Sequence, residues 1–324
     1  MTARWKSWIP DSYILGLLAT VAVASVLPCR GVAATLFGWL TDAAIVLLFF
    51  LHGAKLSREA VIAGLGHWRL HLLVLACTYA LFPLVGLGAR ALGSGWVEPA
   101  LLAGVLFLCL LPSTVQSSIA FTSVARGNVA AAVCSASASN LIGIFLTPAL
   151  VSLLMDAHGA GASLEAVRTI VLQLLLPFIL GHLSRPLTAK WLAKEKRFVG
   201  LVDRGSILLV VYTAFSAAVV EGLWKRLSAQ DLLAVLVLDV VILALVLTIT
   251  TLAARKLGFS KEDEIAIVFC GSKKSLASGV PMAGVLFPAA AVGMMIVPLM
   301  LFHQIQLMVC AVLARRYAAR LPAK

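Results

Sequence analysis

The chain has few charged residues, and this scarcity excludes an ordinary soluble domain. Asp, Glu, Lys and Arg make up 12% of its 324 residues, whereas soluble domains contain about 25%. Hydrophobic residues reach 61% and the mean hydropathy is +1.03. Apolar runs recur at the length of a membrane-spanning helix, about 20 residues. The composition therefore predicts an all-α polytopic membrane protein with a single transmembrane domain over residues 1–324.

Signatures of enzymes and metal sites are also missing from the sequence. The motifs H-E-x-x-H, G-x-S-x-G and G-x-x-x-x-G-K-[ST] do not occur. The six cysteines have no paired metal-ligand spacing, so we interpret them as reduced packing residues. The net charge of +12 is scattered over short loops, which indicates membrane topology rather than nucleic-acid binding. We therefore expect no catalytic site, no cofactor, no bound metal and no nucleic-acid partner.

Ten apolar stretches predict about ten transmembrane helices. The predicted spans are Ser12 to Leu27, Thr35 to His52, Leu70 to Leu92, Pro99 to Val124, Val129 to Met155, Val167 to Leu187, Ser206 to Trp224, Leu232 to Ala254, Glu264 to Phe287 and Ala289 to Leu313. With these spans, 19 of the 26 Lys and Arg residues fall on the side of the N-terminus and five on the other, Lys273 and Lys274 being the remaining two. The positive-inside rule then places both termini in the cytoplasm, in an inner or plasma membrane.

The ten spans divide into two halves of five. A half with an odd number of spans reverses its orientation when it is repeated, so the division predicts an inverted repeat. Repeat one covers about 12–155 and repeat two about 167–313, joined by an outside link from Asp156 to Ala166. The longest basic segment, from Arg185 to Arg204, is predicted to be a loop between spans six and seven. Spans four and nine hold matching positions in their halves, and polar residues interrupt both.

The stretch from Phe269 to Pro281 places two adjacent lysines inside the ninth span. Lys273 lies nine residues after Glu264, which is about 13 Å along a helix and near the middle of an apolar core of about 30 Å. A charge at that depth costs at least about 2.5 to 3.5 kcal/mol and by default marks a functional site. The surrounding small and helix-breaking residues predict a broken helix, as in many secondary transporters. The alternative is a shallow loop that keeps both lysines among the lipid headgroups.

Polar residues of the fourth and fifth spans are further candidates for a substrate or ion site. Pro112 removes a helix hydrogen bond, and the freed carbonyl groups can bind a small cation or a polar substrate together with hydroxyl and amide oxygens. The serines of the fifth span alternatively serve only close helix packing. With the lysines and their neighbours, the candidate residues are Ser113, Thr114, Gln116, Ser117, Ser118, Ser135, Ser139, Asn140, Ser272, Lys273, Lys274 and Ser275.

Three acids and a few other polar residues also fall within predicted spans. Asp239 lies about a third of the way into the eighth span, which makes it the best candidate for a charge partner of a lysine. Asp42 and Glu221 can equally face the membrane interface. In the tenth span, His303 is interpreted as a packing hydrogen-bonding residue rather than a proton relay, beside Gln304 and Gln306.

Three segments of the chain carry a family resemblance. They are Ala125-Arg126-Gly127-Asn128-Val129-Ala130, Phe145-Leu146-Thr147-Pro148 and, above all, Phe269-Cys270-Gly271-Ser272-Lys273-Lys274-Ser275-Leu276-Ala277 with the preceding Asp263-Glu264. With these segments the sequence resembles the bile acid:sodium symporter superfamily, in its SBF-like branch, along nearly its whole length. The resemblance implies two inverted five-helix repeats, divided into a panel domain and a core domain. It also implies that helices four and nine are broken and cross in the core, and that the core moves against the panel during transport.

The ninth span departs from the pattern of the sodium-coupled members. There the resemblance leads us to expect a Glu followed a few residues later by Gln-Asn, which help to hold two sodium ions. In this chain Phe269 and Lys273-Lys274 stand at those positions. A protonated lysine and a bound sodium ion repel each other strongly in a medium of low dielectric constant. The resemblance therefore does not by itself carry sodium coupling over to this chain.

Three mechanisms are compatible with the lysine pair. A permanently protonated lysine can replace sodium and hold the crossed helix ends together, which makes transport uncoupled. Alternatively, a lysine that desolvation and a like-charged neighbour make easier to deprotonate can load and release a proton. Lastly, the pair can bind the carboxylate or sulfonate of an organic anion. We favour a carrier in which one lysine is structural and the other binds substrate or proton, since successive side chains on a helix point about 100° apart.

The sequence thus predicts a secondary transporter of a small or amphipathic organic anion in a lipid bilayer. Sodium and the proton are both candidates for a coupling ion, and the sequence favours no oligomeric state. One alternative is a non-transporting membrane regulator or scaffold that keeps the fold. A second is an intramembrane enzyme whose site, assembled from distant residues, depends on Lys273 or His303.

Overall fold

The computed structural model of the chain describes residues 12–55, 67–155, 168 and 171–320, and every regular element in these ranges is helical. The predicted link from Asp156 to Ala166 and both ends of the chain lie outside the described residues. In chain order the helices are α1 (Ser12–Val26), α2 (Val32–Lys55), α3 (Trp68–Gly93), α4 (Pro99–Leu110), α5 (Gln116–Val124), α6 (Val129–Leu154), α7 (Val171–Lys194), α8 (Lys196–Val220), α9 (Leu223–Arg226), α10 (Ala229–Lys256), α11 (Lys261–Gly271), α12 (Leu276–Leu286) and α13 (Ala289–Arg320). Helix α3 contains a π turn at Cys77–Leu81, and α7 begins with one at Val171–Leu175.

Seven of these helices are long and apolar enough to cross a membrane, so the chain is a multi-pass membrane protein. They are α2, α3, α6, α7, α8, α10 and α13. The shorter helices α4 and α5 together cover the predicted fourth span, and α11 and α12 cover the ninth. Helices α1, α4, α5, α11 and α12 are each too short to cross a membrane by this measure of length. The count of ten spans and the inverted repeat therefore stay predictions.

The predicted loop from Arg185 to Arg204 is wrong, because this segment is helical. Helix α7 continues to Lys194 and α8 begins at Lys196, with only Glu195 between them. The segment is rich in Lys, Leu, Ala and Arg, which are strong helix formers. Basic side chains end the apolar span without ending the helix, so composition alone misplaces the helix boundary.

The helices pack into two groups. Helices α1, α2, α7 and α8 form the first, and α3 to α6 with α10 to α13 form the second. Helix α8 packs against α12 and α13 and joins the groups. In the first group, Gly53 of α2 and Gly181 of α7 bring two backbones into contact, since a Cβ atom at either would overlap a carbonyl oxygen of the other helix, that of Phe178 or Phe50. Small residues at helix crossings commonly serve this purpose in membranes.

The buried core is centred on the end of α4. All side chains from Val105 to Leu111 are completely buried. Two edge-on aromatic contacts enclose this region: Phe107 with Phe287 at 5.2 Å between ring centroids, and Phe82 with Phe302 at 6.2 Å. The end of α4 therefore lies inside the protein core.

Both predicted helix interruptions are present, and they lie against each other. Residues 111–115 separate α4 from α5, and residues 272–275 separate α11 from α12. The Ser275 N–H donates to the carbonyl oxygen of Pro112 at 2.9 Å, and the Ser113 hydroxyl donates to that of Cys270 at 2.5 Å. Each interruption therefore uses backbone groups that the other has released, which is how irregular backbone is stabilised at membrane depth.

Candidate functional site

The Lys274 ammonium group is completely buried and has three backbone partners. Its Nζ donates to the carbonyl oxygens of Thr78 at 2.9 Å, Cys109 at 2.8 Å and Leu111 at 2.7 Å. It also lies 4.1 Å from the centre of the Phe82 ring, within the range of a cation–π interaction. An ammonium group has three N–H donors, so all its hydrogen-bonding capacity is used. The side chain joins α3 to the end of α4.

The Thr78 carbonyl oxygen is available because of a π turn and a proline. In the middle of α3 the Phe82 N–H donates to the carbonyl oxygen of Cys77, five residues earlier. The next residue, Pro83, has no N–H to donate to Thr78. The helix therefore leaves one buried acceptor unused, and Lys274 supplies its hydrogen bond. Single π turns inside α-helices are frequent at functional sites.

The other two carbonyl groups are released where α4 breaks. Pro112 has no N–H, and the Ser113 N–H donates to the Ser139 hydroxyl oxygen at 3.0 Å instead of continuing the helix. The carbonyl oxygens of Cys109 and Leu111 consequently have no helical partner. The intervening carbonyl, that of Leu110, accepts from the Thr147 hydroxyl at 2.8 Å. Each carbonyl group from Cys109 to Leu111 therefore has a hydrogen-bond partner. Two of the three accept from the Lys274 ammonium group.

The backbone of Lys274 is clamped by a single amide side chain. The Lys274 N–H donates to Gln306 Oε1, and Gln306 Nε2 donates to the Lys274 carbonyl oxygen, both at 2.9 Å. Gln306 Nε2 also lies 2.9 Å from Nδ1 of His303. This pairing substitutes for the helical bonds that the interruption removes, and it fixes the direction in which Lys274 leaves the backbone.

Lys273 is equally buried but much less well satisfied. Its Nζ donates to the Ser117 hydroxyl oxygen at 3.3 Å, and it lies 4.5 Å from the centre of the Phe121 ring and 5.6 Å from that of Phe269. Among the residues that the structure describes, no carboxylate forms an ion pair with Lys273 or Lys274. Since neither side chain reaches the surface, the shallow-loop alternative is excluded. Both lysines are therefore buried without a carboxylate partner among the described residues.

Hydroxyl groups of α5 and of the interruption before it connect Lys273 to α11. Ser117 donates to Thr114 Oγ1 at 3.0 Å, and Thr114 lies 3.0 Å from the Ser118 hydroxyl. Ser118 in turn donates to the carbonyl oxygen of Phe269 at 2.9 Å. This chain of hydrogen bonds leads from the Lys273 ammonium group back to α11, the helix that precedes it, so hydroxyl groups predicted in the fourth span lie next to Lys273.

A second polar cluster links α6 to both interruptions. Asn140 Nδ2 donates to the Ser113 carbonyl oxygen at 2.7 Å, and Asn140 Oδ1 accepts from the Ser278 hydroxyl at 2.8 Å. The Ser275 hydroxyl oxygen caps α12 by accepting from the Ser278 N–H at 3.1 Å. Of the predicted residues in this part of the chain, Ser139, Asn140 and Ser275 hold backbone in place. Ser272 does the same locally, since its hydroxyl donates to the Val268 carbonyl oxygen at 2.6 Å.

Two predicted site residues lie apart from the lysines. The Ser135 hydroxyl is 2.7 Å from Nδ1 of His71, so it pairs α6 with α3. The Gln116 side chain is exposed at the first residue of α5, whereas Ser117 and Ser118 turn toward α11. Successive side chains of a helix diverge by about 100°, which is why neighbours in sequence do not all share the site.

The structure does not pair Asp239 with either lysine. Asp239 is completely buried in α10, and neither of its carboxyl oxygens has a hydrogen-bond partner among the described residues. The predicted ion pair is absent because the Lys274 donors are already taken by carbonyl groups. Asp239 is thus a further polar group that is buried without a hydrogen-bond partner among the described residues.

Sequence reasoning missed several residues that shape the site. Thr78 and Pro83 were not candidates, although a proline inside an apolar span is a signal for a released carbonyl group. The sequence marks Gln306 only as an amide in the tenth span. Phe82 and Phe121 contact the two ammonium groups, and nothing in their spacing distinguishes them from ordinary packing residues.

An apolar cavity of about 200 Å³ lies close to the lysines. Its wall comes from α1, α8, α9, α10, α12 and α13, and its side chains are apolar or aromatic apart from His303 and Gln304. His303 also contacts Gln306, which holds Lys274. The cavity lining includes Leu17, Phe215, Trp224, Leu276, Met300 and His303. It therefore extends between the two helix groups toward the broken helices.

The far end of α11 is tied to its neighbours by charged and amide groups. Glu264 accepts hydrogen bonds from Lys261 at 2.7 Å, from Tyr317 at 2.9 Å and from Arg255 at 3.2 to 3.3 Å. Asn128, in the turn before α6, donates to Asp263 Oδ1 at 2.8 Å. These contacts hold the N-terminal end of α11 against α10, α13 and α6. The two lysines follow the other end of α11, where Gln306 holds the backbone of Lys274.

Known proteins match this chain along nearly its whole length. The model of the SBF-like CPA transporter family matches residues 11–319. The uncharacterized protein PA2026 of Pseudomonas aeruginosa is 62% identical over 314 residues, which cover 97% of this chain and 94% of that protein. The Escherichia coli protein named "Putative symporter YfeH" is 59% identical over 313 residues, or 95% and 93% of the two chains. Sodium/bile acid cotransporter 7 of Mus musculus is 26% identical over 317 residues, or 95% and 91%. The chain therefore belongs to the SBF-like CPA transporter family.

Proposed function

We propose that the protein is a secondary transporter that carries a small or amphipathic organic anion by alternating access. The observation that supports this proposal most directly is the buried lysine pair, which has no carboxylate partner among the described residues. A charge in the membrane interior is strongly destabilising unless an opposite charge or fixed dipoles meet it. Fixed carbonyl dipoles meet Lys274, and we assign the anionic group of the substrate to Lys273.

In this proposal Lys274 is a permanent cation that takes the place of a coupling ion. The three carbonyl oxygens around its ammonium group come from two separate helices. Sets of backbone oxygens released by broken helices are the usual binding sites of small cations in transporters. A sodium ion added beside the ammonium would be repelled at a distance of a few ångströms. We therefore propose that transport does not require sodium.

Lys273 supplies the substrate site in this proposal, together with Ser117 and Thr114. Its hydrogen bond to Ser117, 3.3 Å long, leaves donors for a carboxylate or sulfonate, and such charge-assisted bonds are about twice as strong as neutral ones. The nearby apolar cavity suits the hydrocarbon part of an amphipathic anion, because ligand pockets are mostly apolar with a few polar groups that fix orientation.

The two helix groups fit a panel and a core. We propose that α1, α2, α7 and α8 form the panel and that the other group, which contains both broken helices, forms the core. The proposal includes ten membrane spans in two inverted repeats and both termini in the cytoplasm, in an inner or plasma membrane, as the distribution of basic residues favours.

Counterflow in proteoliposomes tests the proposal. Purified protein is reconstituted with an unlabelled organic anion inside, and entry of the labelled anion is measured for a bile acid and for a small aromatic carboxylate. We expect saturable exchange that is equal in sodium, potassium and choline media. Lys273→Gln should reduce exchange by about tenfold to a hundredfold, since a hydrogen bond to a charged group contributes about 1.5 to 3 kcal/mol, and Lys273→Arg should retain part of it.

The controls separate a lost site from lost protein. Lys256→Gln changes an exposed lysine at the end of α10 and should leave exchange unchanged, and gel filtration verifies that every variant is folded. Exchange that is undiminished in Lys273→Gln would place the anion elsewhere. Exchange that strictly needs sodium would restore a symport mechanism, and no exchange by the wild type with any anion would favour a non-transporting regulator or scaffold.

A further inference from the structure

A second concave surface, which neither lysine lines, faces outward from the protein. A groove of about 640 Å³ runs between α10 and α13. Most of its lining side chains are aliphatic, and many of them are exposed, among them Leu252, Met308 and Val312. Exposed apolar side chains on long membrane helices face lipid, so the groove opens toward the acyl chains rather than toward water.

One end of the groove is basic. Arg255 of α10 and Arg316 of α13 both line it, and both side chains are exposed. The Arg255 guanidinium group forms an ion pair with Glu264. Arg316 has no hydrogen-bond or ion-pair partner among the residues that the structure describes. The Glu264 carboxylate is buried, so the surface at this end presents a net positive charge.

The groove has the length of one leaflet. It follows α10 from Leu247 to Arg255 and α13 from Met308 to Arg316, which is about 12 Å along each helix. Half of an apolar core of about 30 Å is about 15 Å. Both arginines lie near the C-terminal ends of their helices. Basic residues concentrate at these helix ends, as they do at the level of the lipid headgroups. An acyl chain in the groove therefore places its headgroup at the arginines.

From this arrangement we infer that the groove between α10 and α13 binds an anionic phospholipid. The guanidinium groups of Arg316 and Arg255 bind the phosphate, and the aliphatic side chains below them contact one acyl chain. Arginine suits this role, because its planar group donates paired hydrogen bonds to phosphate oxygens. Basic pockets between membrane helices are a known form of headgroup recognition. The bound lipid also fastens α10 to α13 beside the Glu264 contacts that anchor α11.

Native mass spectrometry of the full-length protein in detergent tests this inference. The probes are phosphatidylglycerol and phosphatidylcholine with identical acyl chains, added at a series of concentrations. We expect phosphatidylglycerol to bind at lower concentration than phosphatidylcholine. Arg316→Gln should weaken phosphatidylglycerol binding about fivefold, as one basic residue near anionic headgroups contributes about 1 kcal/mol. Arg315→Gln is the matched control, because Arg315 is equally basic and exposed but does not line the groove.

Two further measurements distinguish the sources of the signal. Val309→Trp fills the apolar part of the groove and should weaken binding of the phospholipid while leaving all arginines in place. Glycerol phosphate, which has the headgroup charge without acyl chains, should fail to displace the lipid. Equal binding of the two phospholipids, or equal losses in Arg316→Gln and Arg315→Gln, would overturn the inference. Displacement by glycerol phosphate would do so as well, since it would reveal a site for free phosphate.

Discussion

Lys273 and Lys274 are adjacent in sequence and equally buried, yet their surroundings differ in kind. Lys274 donates to three backbone carbonyl oxygens at 2.7 to 2.9 Å. Lys273 donates to one hydroxyl oxygen at 3.3 Å and otherwise faces two aromatic rings. Backbone carbonyl oxygens held within or at the ends of helices cannot rotate away, whereas a serine hydroxyl exchanges partners at little cost. The proposed function rests on this difference: Lys274 holds the structure together in that proposal, and Lys273 binds the ligand.

The largest expected effect is loss of stability in Lys274→Gln. The change leaves up to three buried carbonyl oxygens without a charged donor, and each unsatisfied buried group costs about 1 to 3 kcal/mol. We expect the free energy of unfolding to fall by about 4 kcal/mol or more, which is exceptional for one substitution. Thermal unfolding of the purified protein in detergent measures it.

Lys273→Gln is the matched comparison for this experiment. It removes the same charge one residue away but only one hydrogen bond, so its melting temperature should fall much less than that of Lys274→Gln. Equal melting temperatures for the two variants would show that both lysines are structural, or that neither is.

A smaller loss of stability is expected when the clamp on Lys274 is removed. Gln306→Leu deprives the Lys274 N–H and carbonyl group of their partners, and we expect a loss of about 2 kcal/mol. Gln304→Leu, two residues away and half-buried against the apolar cavity, is the control and should change the melting temperature little. If Gln306→Leu unfolds like the wild type, the amide pairing does not support the interruption.

The smallest effect is expected at Asp239. Its carboxyl oxygens have no hydrogen-bond partner among the described residues, so Asp239→Asn removes no ion pair and should change stability by less than about 1 kcal/mol. Thermal unfolding is again the measurement, with Asp42→Asn, an exposed site in α2, as the control. A loss of 3 kcal/mol or more, typical of breaking a buried ion pair, would instead support the ion pair predicted from sequence.

Much of the fold could be predicted from the sequence because membrane spans leave strong signals. Apolar length identifies the long helices, and the proline and polar residues at 112–118 together with Gly271 locate the two interruptions. The end of α7 was misplaced because a helix does not stop where its apolar face stops. Lysines such as Lys190 and Lys194 continue the helix by propensity alone.

The candidate site was predicted only in part. A charged residue inside an apolar run is visible in the sequence, and this pattern identifies Lys273 and Lys274. Which lysine has a full set of hydrogen-bond acceptors depends on the backbone of another helix, at the π turn before Pro83. The residues around the lysines contain no pattern that predicts this turn. The choice of Asp239 as partner assumed that a buried cation needs a carboxylate, whereas released carbonyl groups already serve Lys274. Gln116 belongs to the predicted set by its sequence position alone, and the helix rotates its side chain outward.

The carbonyl set around Lys274 also has a consequence for the energetics of transport. A cation that is covalently part of the protein returns with it in every cycle, so no ion gradient can do work through it. In the proposed mechanism only the substrate's own gradient and the membrane potential remain as driving forces. An inside-negative potential of about 100 mV acts on a single negative charge with about 2.3 kcal/mol, which at equilibrium corresponds to a concentration outside about fifty times that inside. A monovalent organic anion would then be moved out of the cell, and transport would generate a current.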